Sequence, residues 1–373
     1  MTQRNALYTA IAGSILLGAA TALLAGGKPP FPVPNEGHAL YWVAWGPMMA
    51  LGFLAFLART DRAGEGRTRY VIVAASIAAA SLYTGLTLGS RTDALAELAS
   101  AHLLFVSWTA VAGALVAGYA DRAPQTYSVL VKSAETLLTG AIFFASGMIF
   151  AALTFGIFEV LGVTLPEDVL VVIAAFGVGA IPLLAFGIAF DPALSPAAQD
   201  SQAGLTRTIR LVARILLPLA LGVLLVYVVW FIPTHFMKAF EEREALIVFN
   251  ATILAILVLL TVAVSGSEPV GSQASGVLFR LAVLAMIALT LLLNVYALAA
   301  VASRTIEAGL TPNRLAVIGW NVVTLAILGG AGARLWTRSD QPWIPVLREA
   351  IGRFAPLAAV WAATLLLVLP LFE

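Results

Sequence analysis

The chain has 373 residues, of which 61% are hydrophobic and only 11% charged, with a mean hydropathy of +0.96. There are no cysteines, which excludes disulfides, thiol catalysis and cysteine-held metal centres. The net charge of +1 is uninformative in itself, because what matters in so apolar a chain is how charge is distributed along it.

About eleven apolar stretches of helix length follow one another, joined by short links. A hydrocarbon core ~30 Å thick needs ~20 apolar residues in a helix. Backbone polar groups in lipid must be satisfied internally, so only helices or closed barrels span. Continuous Leu-, Ala- and Val-rich runs fit helices rather than the short alternating segments of a barrel. The spans are predicted at 6–26, 39–58, 70–89, 100–119, 137–162, 168–190, 211–233, 246–264, 277–301, 313–332 and 356–372. No link is long enough for a globular domain, so residues 1–373 read as one transmembrane domain. The expected fold is an all-α, polytopic integral membrane helical bundle. The first span is longer than the apolar core of a cleaved signal peptide, so an uncleaved span is expected, with cleavage after the Ala-rich residues before Gly26 as the alternative.

Lys and Arg favour the cytoplasmic side of short loops. With the N-terminus inside, only Lys28, Arg91, Lys238, Arg243, Arg304 and Arg314 fall outside; the other 15 of the 21 basic residues fall inside. The acids Glu167, Asp168, Glu241, Glu242 and Glu244 fall outside. Eleven spans then put the C-terminus outside.

Between spans, the four prolines of 27–38 predict a stiff extended link. The links at 191–204 and 265–276 read as flexible polar connectors. Residues 339–354 place Trp343, Ile344, Leu347, Ile351 and Phe354 at helical spacing, with Arg348, Glu349 and Arg353 between them. That pattern predicts a short amphipathic helix near 340–354 in the inner interface, with Trp336 and Trp343 at headgroup depth. It serves as an anchor or a partner-docking helix. Gly85 with Gly89, and Gly113 with Ala117, are spaced for close helix approach, within the chain or between copies. Pro182 can break the sixth span and Pro218 can kink the seventh.

Signatures of hydrolases, phosphoryl transferases and metalloenzymes are missing. His38, His102 and His235 all fall at or near the outer face. A metal site from His38, Glu36, His235 and Glu241 is the sharp reading; solvated loop residues are the expectation. No metal, cofactor or nucleic-acid partner is expected. Within the spans, Glu159, Asn250, Asn294 with Tyr296, and Trp320 with Asn321 all lie in the outer half, counting ~1.5 Å per residue. Glu135, near a predicted helix start, and Arg280 are the main polar groups of the inner half. Intramembrane ionisable groups need a partner or a functional reason. The asparagines either bond helix to helix or line a polar pocket opening outward. Glu159 is within snorkelling reach of water.

Residues 303–314, SRTIEAGLTPNR, link the ninth and tenth spans. Gly309 can stop one helix, Thr311 can cap the next, and Pro312 suits its first position. Arg304 and Glu307 are three apart and can pair. This string, followed by a Trp-containing span, resembles the bacterial membrane family known as domain of unknown function 4153. Arg304 and Gly309-Leu310-Thr311-Pro312-Asn313-Arg314 carry the likeness, and residues 211–264 share the layout of two helices joined by a short amphipathic link. Family members often have Tyr before the glycine, where this chain has Ala308. The resemblance implies an integral protein of the bacterial inner (cytoplasmic) membrane, without an assigned activity, and no catalytic residue carries over. The candidate ligand contacts are Arg304, Glu307, Thr311, Asn313, Arg314, Asn250, Asn294, Asn321, Glu159 and His235. For Arg304, Glu307, Thr311, Asn313 and Arg314 the alternative role is a turn that caps and orients two helices.

The leading functional expectation is non-enzymatic: binding or transport of a small anionic or lipid-like ligand through an outward-facing pocket. Arg304 and Arg314 would meet its anionic group, and the three asparagines would orient it. The alternatives are an enzyme acting on a lipid-linked substrate at the outer leaflet, with Glu159, Glu307 or His235 as acid–base groups, or a scaffold for a membrane-protein partner. The cysteine-free background makes the topology testable. Gly64→Cys should resist, and Ala239→Cys should accept, an impermeant thiol reagent applied to whole cells; the opposite pattern would invert the orientation.

Overall fold

The computed structural model describes residues 3–25, 40–61, 64, 66–88, 93–162, 166–199, 204–241, 243–266 and 273–372. It is all-helical, with no strand among the described residues. The long helices are α1 (Gln3–Ala25), α2 (Leu40–Thr60), α3 (Arg67–Leu88), α4 (Asp93–Val116), α5 (Arg122–Val160), α6 (Glu167–Ala189) and α7 (Gly204–Val226). Two short pieces, α8 (Ile232–Thr234) and α9 (Lys238–Glu241), lead to α10 (Arg243–Ala263), α11 (Gln273–Ala308), α12 (Pro312–Thr337), α13 (Trp343–Phe354) and α14 (Pro356–Val368). Eleven stretches among the described residues are long and apolar enough to cross a membrane. Leu16, Leu23, Phe150 and Val223 are among many large apolar side chains facing outward, a surface suited to hydrocarbon rather than water. The predicted link at 27–38 lies outside the described residues, as do 267–272 of the link predicted at 265–276.

The helices sort into two compact units. The first holds residues 1–118, 132–199 and 366–370. Its tightest seam joins α1 to α6. A Cβ on Gly179 would lie 2.6 Å from the Leu17 carbonyl oxygen, and one on Gly187 would lie 2.3 Å from the Ala10 Cβ. Small residues thus let these two backbones approach. Phe53, Phe56, Phe186 and Phe190 stack between α2 and α6, with ring centroids 5.0–5.9 Å apart. In α5, Lys132 Nζ donates to Glu135 Oε2 at 2.8 Å, both side chains 10% exposed. Glu135 was expected near a helix start. Because α5 begins at Arg122, it lies well inside the helix, where an adjacent cation compensates its burial.

Four sequence expectations are corrected here. A Cβ on Gly85 or Gly113 would meet nothing within 4 Å, so those glycines do not mark a close approach within the chain. Helix α6 runs through Pro182 without ending. His102 is buried on α4, its Nδ1 2.7 Å from the Leu98 carbonyl, rather than solvated. The described part of the predicted connector, 191–199, is a tied turn: Gln199 is buried, accepts from Asp191 N at 2.9 Å, and donates to the Asp191 carbonyl at 2.7 Å.

The second unit holds residues 119–131, 200–365 and 371–373. In it α10 packs against α7, α11 and α12. The last carbonyls of a helix have no partner within it. At the end of α10 they are met from three other helices. Tyr127 Oη donates to the Thr261 carbonyl at 2.7 Å, and Arg214 Nε to that of Ala263 at 3.0 Å. Arg348 Nε donates to the Val264 carbonyl at 2.6 Å, and its Nη2 to that of Gly266. Arg210, 1% exposed, lies against Gly266, whose φ is +79°. Cations at a helix C-terminus also match its partial negative charge.

The predicted amphipathic helix forms as α13, but its stripe faces protein. Leu347 is 1% and Ala350 0% exposed, and a Cβ on Gly352 would fall 2.0 Å from the Ala123 carbonyl oxygen. Trp336 is 85% exposed and Trp343 rests on Phe279, centroids 5.7 Å apart.

Gly266→Ala should destabilise by about 2 kcal/mol or more. It combines a positive φ with a collision against the Arg210 guanidinium. Tyr127→Phe should cost about 1–3 kcal/mol by orphaning the Thr261 carbonyl. Thermal unfolding in detergent reads both; an unchanged midpoint would show that the end of α10 does not limit stability.

Candidate functional site

The turn that carries the sequence resemblance forms as its residue types dictate. Gly309 leaves α11 with φ +81°, the left-handed C-terminal stop. Thr311 is the N-cap of α12, its Oγ1 accepting from Arg314 N at 3.3 Å, and Pro312 follows at the first helical position. Arg314 Nη1 donates to the Gly309 carbonyl at 2.5 Å, which binds the two sides of the turn together. Arg304 is half-buried on the last turns of α11. Glu307 is exposed, and its Oε1 accepts from Ser303 Oγ at 2.9 Å. Thr311 and Asn313 are exposed. The expected Arg304–Glu307 pair is not among the ion pairs of the described residues.

Deeper along the same helices, the three asparagines do come together. Asn321 Nδ2, on α12, donates to Asn250 Oδ1, on α10, at 2.8 Å, and to the Val317 carbonyl at 2.8 Å. Asn250 Nδ2 donates to the Leu246 carbonyl at 2.7 Å. Asn294 Nδ2, on α11, donates to Thr324 Oγ1. Thr324 Oγ1 is also 3.0 Å from the carbonyls of both Trp320 and Asn321. Thr290, one turn from Asn294, is fully buried and donates to Met286. A polar layer therefore joins three helices.

Not every group in the layer is paired. Asn294 is 0% and Asn321 1% exposed, yet the Oδ1 of each meets no hydrogen-bond donor among the described residues. Turning the Asn294 amide over would exchange its ends and leave an unpartnered NH2 instead. Each such buried group costs about 1–3 kcal/mol.

An aromatic cluster borders the layer. The π-turn at Tyr227–Phe231 ends α7, and its rings begin a chain of contacts. Tyr227 lies 4.8 Å from Phe231 and 5.6 Å from Phe249; Phe249 lies 5.8 Å from Tyr296. Tyr296 packs on Phe236 and Phe240, and its hydroxyl donates to the Phe236 carbonyl at 2.6 Å. Phe249 and Tyr296 stand on α10 and α11, the helices that also carry Asn250 and Asn294. His235 is exposed at the edge, stacked on Phe231 at 4.6 Å, with Nδ1 2.9 Å from Thr234 Oγ1.

Glu159 lies on α5 in the first unit, and its side chain is outside the described residues, as are His38 and Glu36. No group of three or more metal-ligating side chains forms among the described residues. Sequence reasoning missed Thr324 and the π-turn. Thr324 was legible as the next polar residue on the Asn321 face of α12, three positions on. The π-turn, nine residues beyond Pro218, left no local signal.

Thr311→Ala should lower stability by roughly 1 kcal/mol through loss of the cap. If the Arg314 side chain serves only the turn, Arg314→Ala should do the same and nothing more; lost ligand capture at unchanged folded yield would give the guanidinium a second role. Comparison of the chain with protein-family models, with curated proteins and with solved structures gave no match in any of the three.

Proposed function

We propose that this chain is a multi-pass protein of the bacterial cytoplasmic membrane, without catalysis of its own, that binds or moves a small anionic or lipid-like ligand from the outward side of α10–α12. The observation that supports it is the pair of buried, unpartnered acceptors, Asn294 Oδ1 and Asn321 Oδ1. A layer kept purely to fasten helices would be more stable with those oxygens satisfied or replaced by carbon. A ligand with two donors, one for each oxygen, would satisfy both.

The spacing sets the ligand's size. Arg314 stands seven residues from Asn321, and Arg304 ten from Asn294, so ~10–15 Å of helix separates the turn from the amides at 1.5 Å per residue. An anionic end would meet Arg304 and the remaining N–H groups of Arg314. The donor-bearing end would reach the amides, and an apolar body would lie along Phe236, Phe249 and Tyr296. Family membership by resemblance, through the Gly309–Arg314 turn, belongs to the same proposal.

Native mass spectrometry of protein extracted with its surrounding lipid is the direct test. Wild type should carry a bound adduct, and Asn294→Leu and Asn321→Leu should lose it while keeping their folded yield. A wild-type chain with no adduct, whose leucine variants are as stable or more so, would reduce the layer to water-filled helix packing.

A further inference from the structure

A second feature, away from the asparagine layer, has its own chemistry. At the junction of α12 and α13, three guanidinium groups share one carboxylate. Arg334 Nη1 lies 2.6 Å from Glu349 Oε1, Arg338 Nη1 2.9 Å from Oε2, and Arg353 Nη2 3.7 Å from Oε1. Each arginine carries five N–H donors, so two carboxylate oxygens engage only a small part of what converges there. Arg334 is mostly covered, at 17% side-chain exposure, whereas Arg338 and Arg353 are 37% and 57% exposed.

The neighbouring charges do not neutralise the excess. Residues 334–354 hold Arg334, Arg338, Arg348 and Arg353 against Asp340 and Glu349, a net of two positive charges. The Arg348 donors go to the end of α10, and Asp340 is exposed in the intervening turn. The depth is marked as well. Trp336, between Arg334 and Arg338 in sequence, is 85% exposed, and a bare indole on a helix of this kind suits the headgroup level of a bilayer. An exposed, preorganised arginine cluster at that level complements a phosphate diester, which accepts several N–H bonds at once.

We propose that the Arg334–Arg338–Arg353 cluster binds the headgroup phosphate of an anionic membrane phospholipid. Glu349 holds the guanidinium groups together, and the lipid phosphate takes the donors of Arg338 and Arg353 that Glu349 leaves over. The acyl chains lie along the apolar outer surface of the helices beside it.

The experiment is lipid competition on the full chain. Detergent-purified protein is offered phosphatidylglycerol and phosphatidylcholine, and retained lipid is measured by native mass spectrometry. Basic residues near an anionic surface contribute about five-fold in affinity each. Wild type should therefore favour phosphatidylglycerol by roughly ten-fold or more. Arg338→Gln/Arg353→Gln should bring that ratio close to one, with an unchanged unfolding midpoint. Arg207→Gln, an exposed charge outside the cluster, should keep the wild-type ratio. Should the double variant fold poorly, Arg353→Gln alone, at the most exposed of the three, should still lower the ratio several-fold. Equal retention of the two lipids by wild type, or an equal loss in Arg207→Gln, overturns the proposal. Displacement of phosphatidylglycerol by inorganic phosphate at millimolar concentration also overturns it, by making a free anion the occupant.

Discussion

The carbonyl end of α10 is the constraint on which the second unit turns. A helix buried to its last residue must find donors for carbonyls that its own backbone cannot reach. Here the donors come from Tyr127 at the start of α5, Arg214 on α7 and Arg348 on α13. Because each donor belongs to a different helix, satisfying one helix end fixes the relative placement of four. Where water is excluded the alternative is an unsatisfied carbonyl, which costs more than the bond itself gains in water. Gly266 belongs to the same arrangement, since only a residue without a side chain leaves room for the Arg210 guanidinium at a positive φ.

The asparagine layer obeys a different logic on the same helix. Asn250 lies in the first half of α10, and its amide is engaged at both its nitrogen, with Leu246, and its oxygen, with Asn321. The amides of α11 and α12 are engaged on one side only. At the C-terminal end every α10 carbonyl named above has a donor; near the N-terminal end two acceptors go without.

What the sequence disclosed, and what it concealed, follows from the range of the forces involved. Eleven long apolar helices were legible because length and composition alone decide them. The Gly309–Arg314 turn was legible because a left-handed glycine, a threonine cap and a proline at the first helical position act within six residues. The asparagines were legible as a group because polar residues in apolar helices stand out, although either role for them remained open. The seam between α1 and α6 was not, because Gly13, Gly18, Gly179 and Gly187 acquire meaning only once the two helices are paired. Gly85 and Gly113 matched the expected spacing and yet face open space. Arg210 and Arg214 entered only as part of a charge count, and Arg348 only as a polar residue of an amphipathic helix, since nothing local to any of them reveals a helix end contributed by residues far along the chain.

So few charges make the use of each one diagnostic. Arg314 donates to its own turn, Lys132 to Glu135, and Arg214 and Arg348 to the end of α10. Those uses account for the residues in terms of the fold. Among the groups with capacity left over are the amide oxygens of Asn294 and Asn321, which can accept, and the guanidinium groups around Glu349, which can donate. One surplus is buried and neutral, suited to a donor on a small molecule; the other is exposed and cationic, suited to a phosphate.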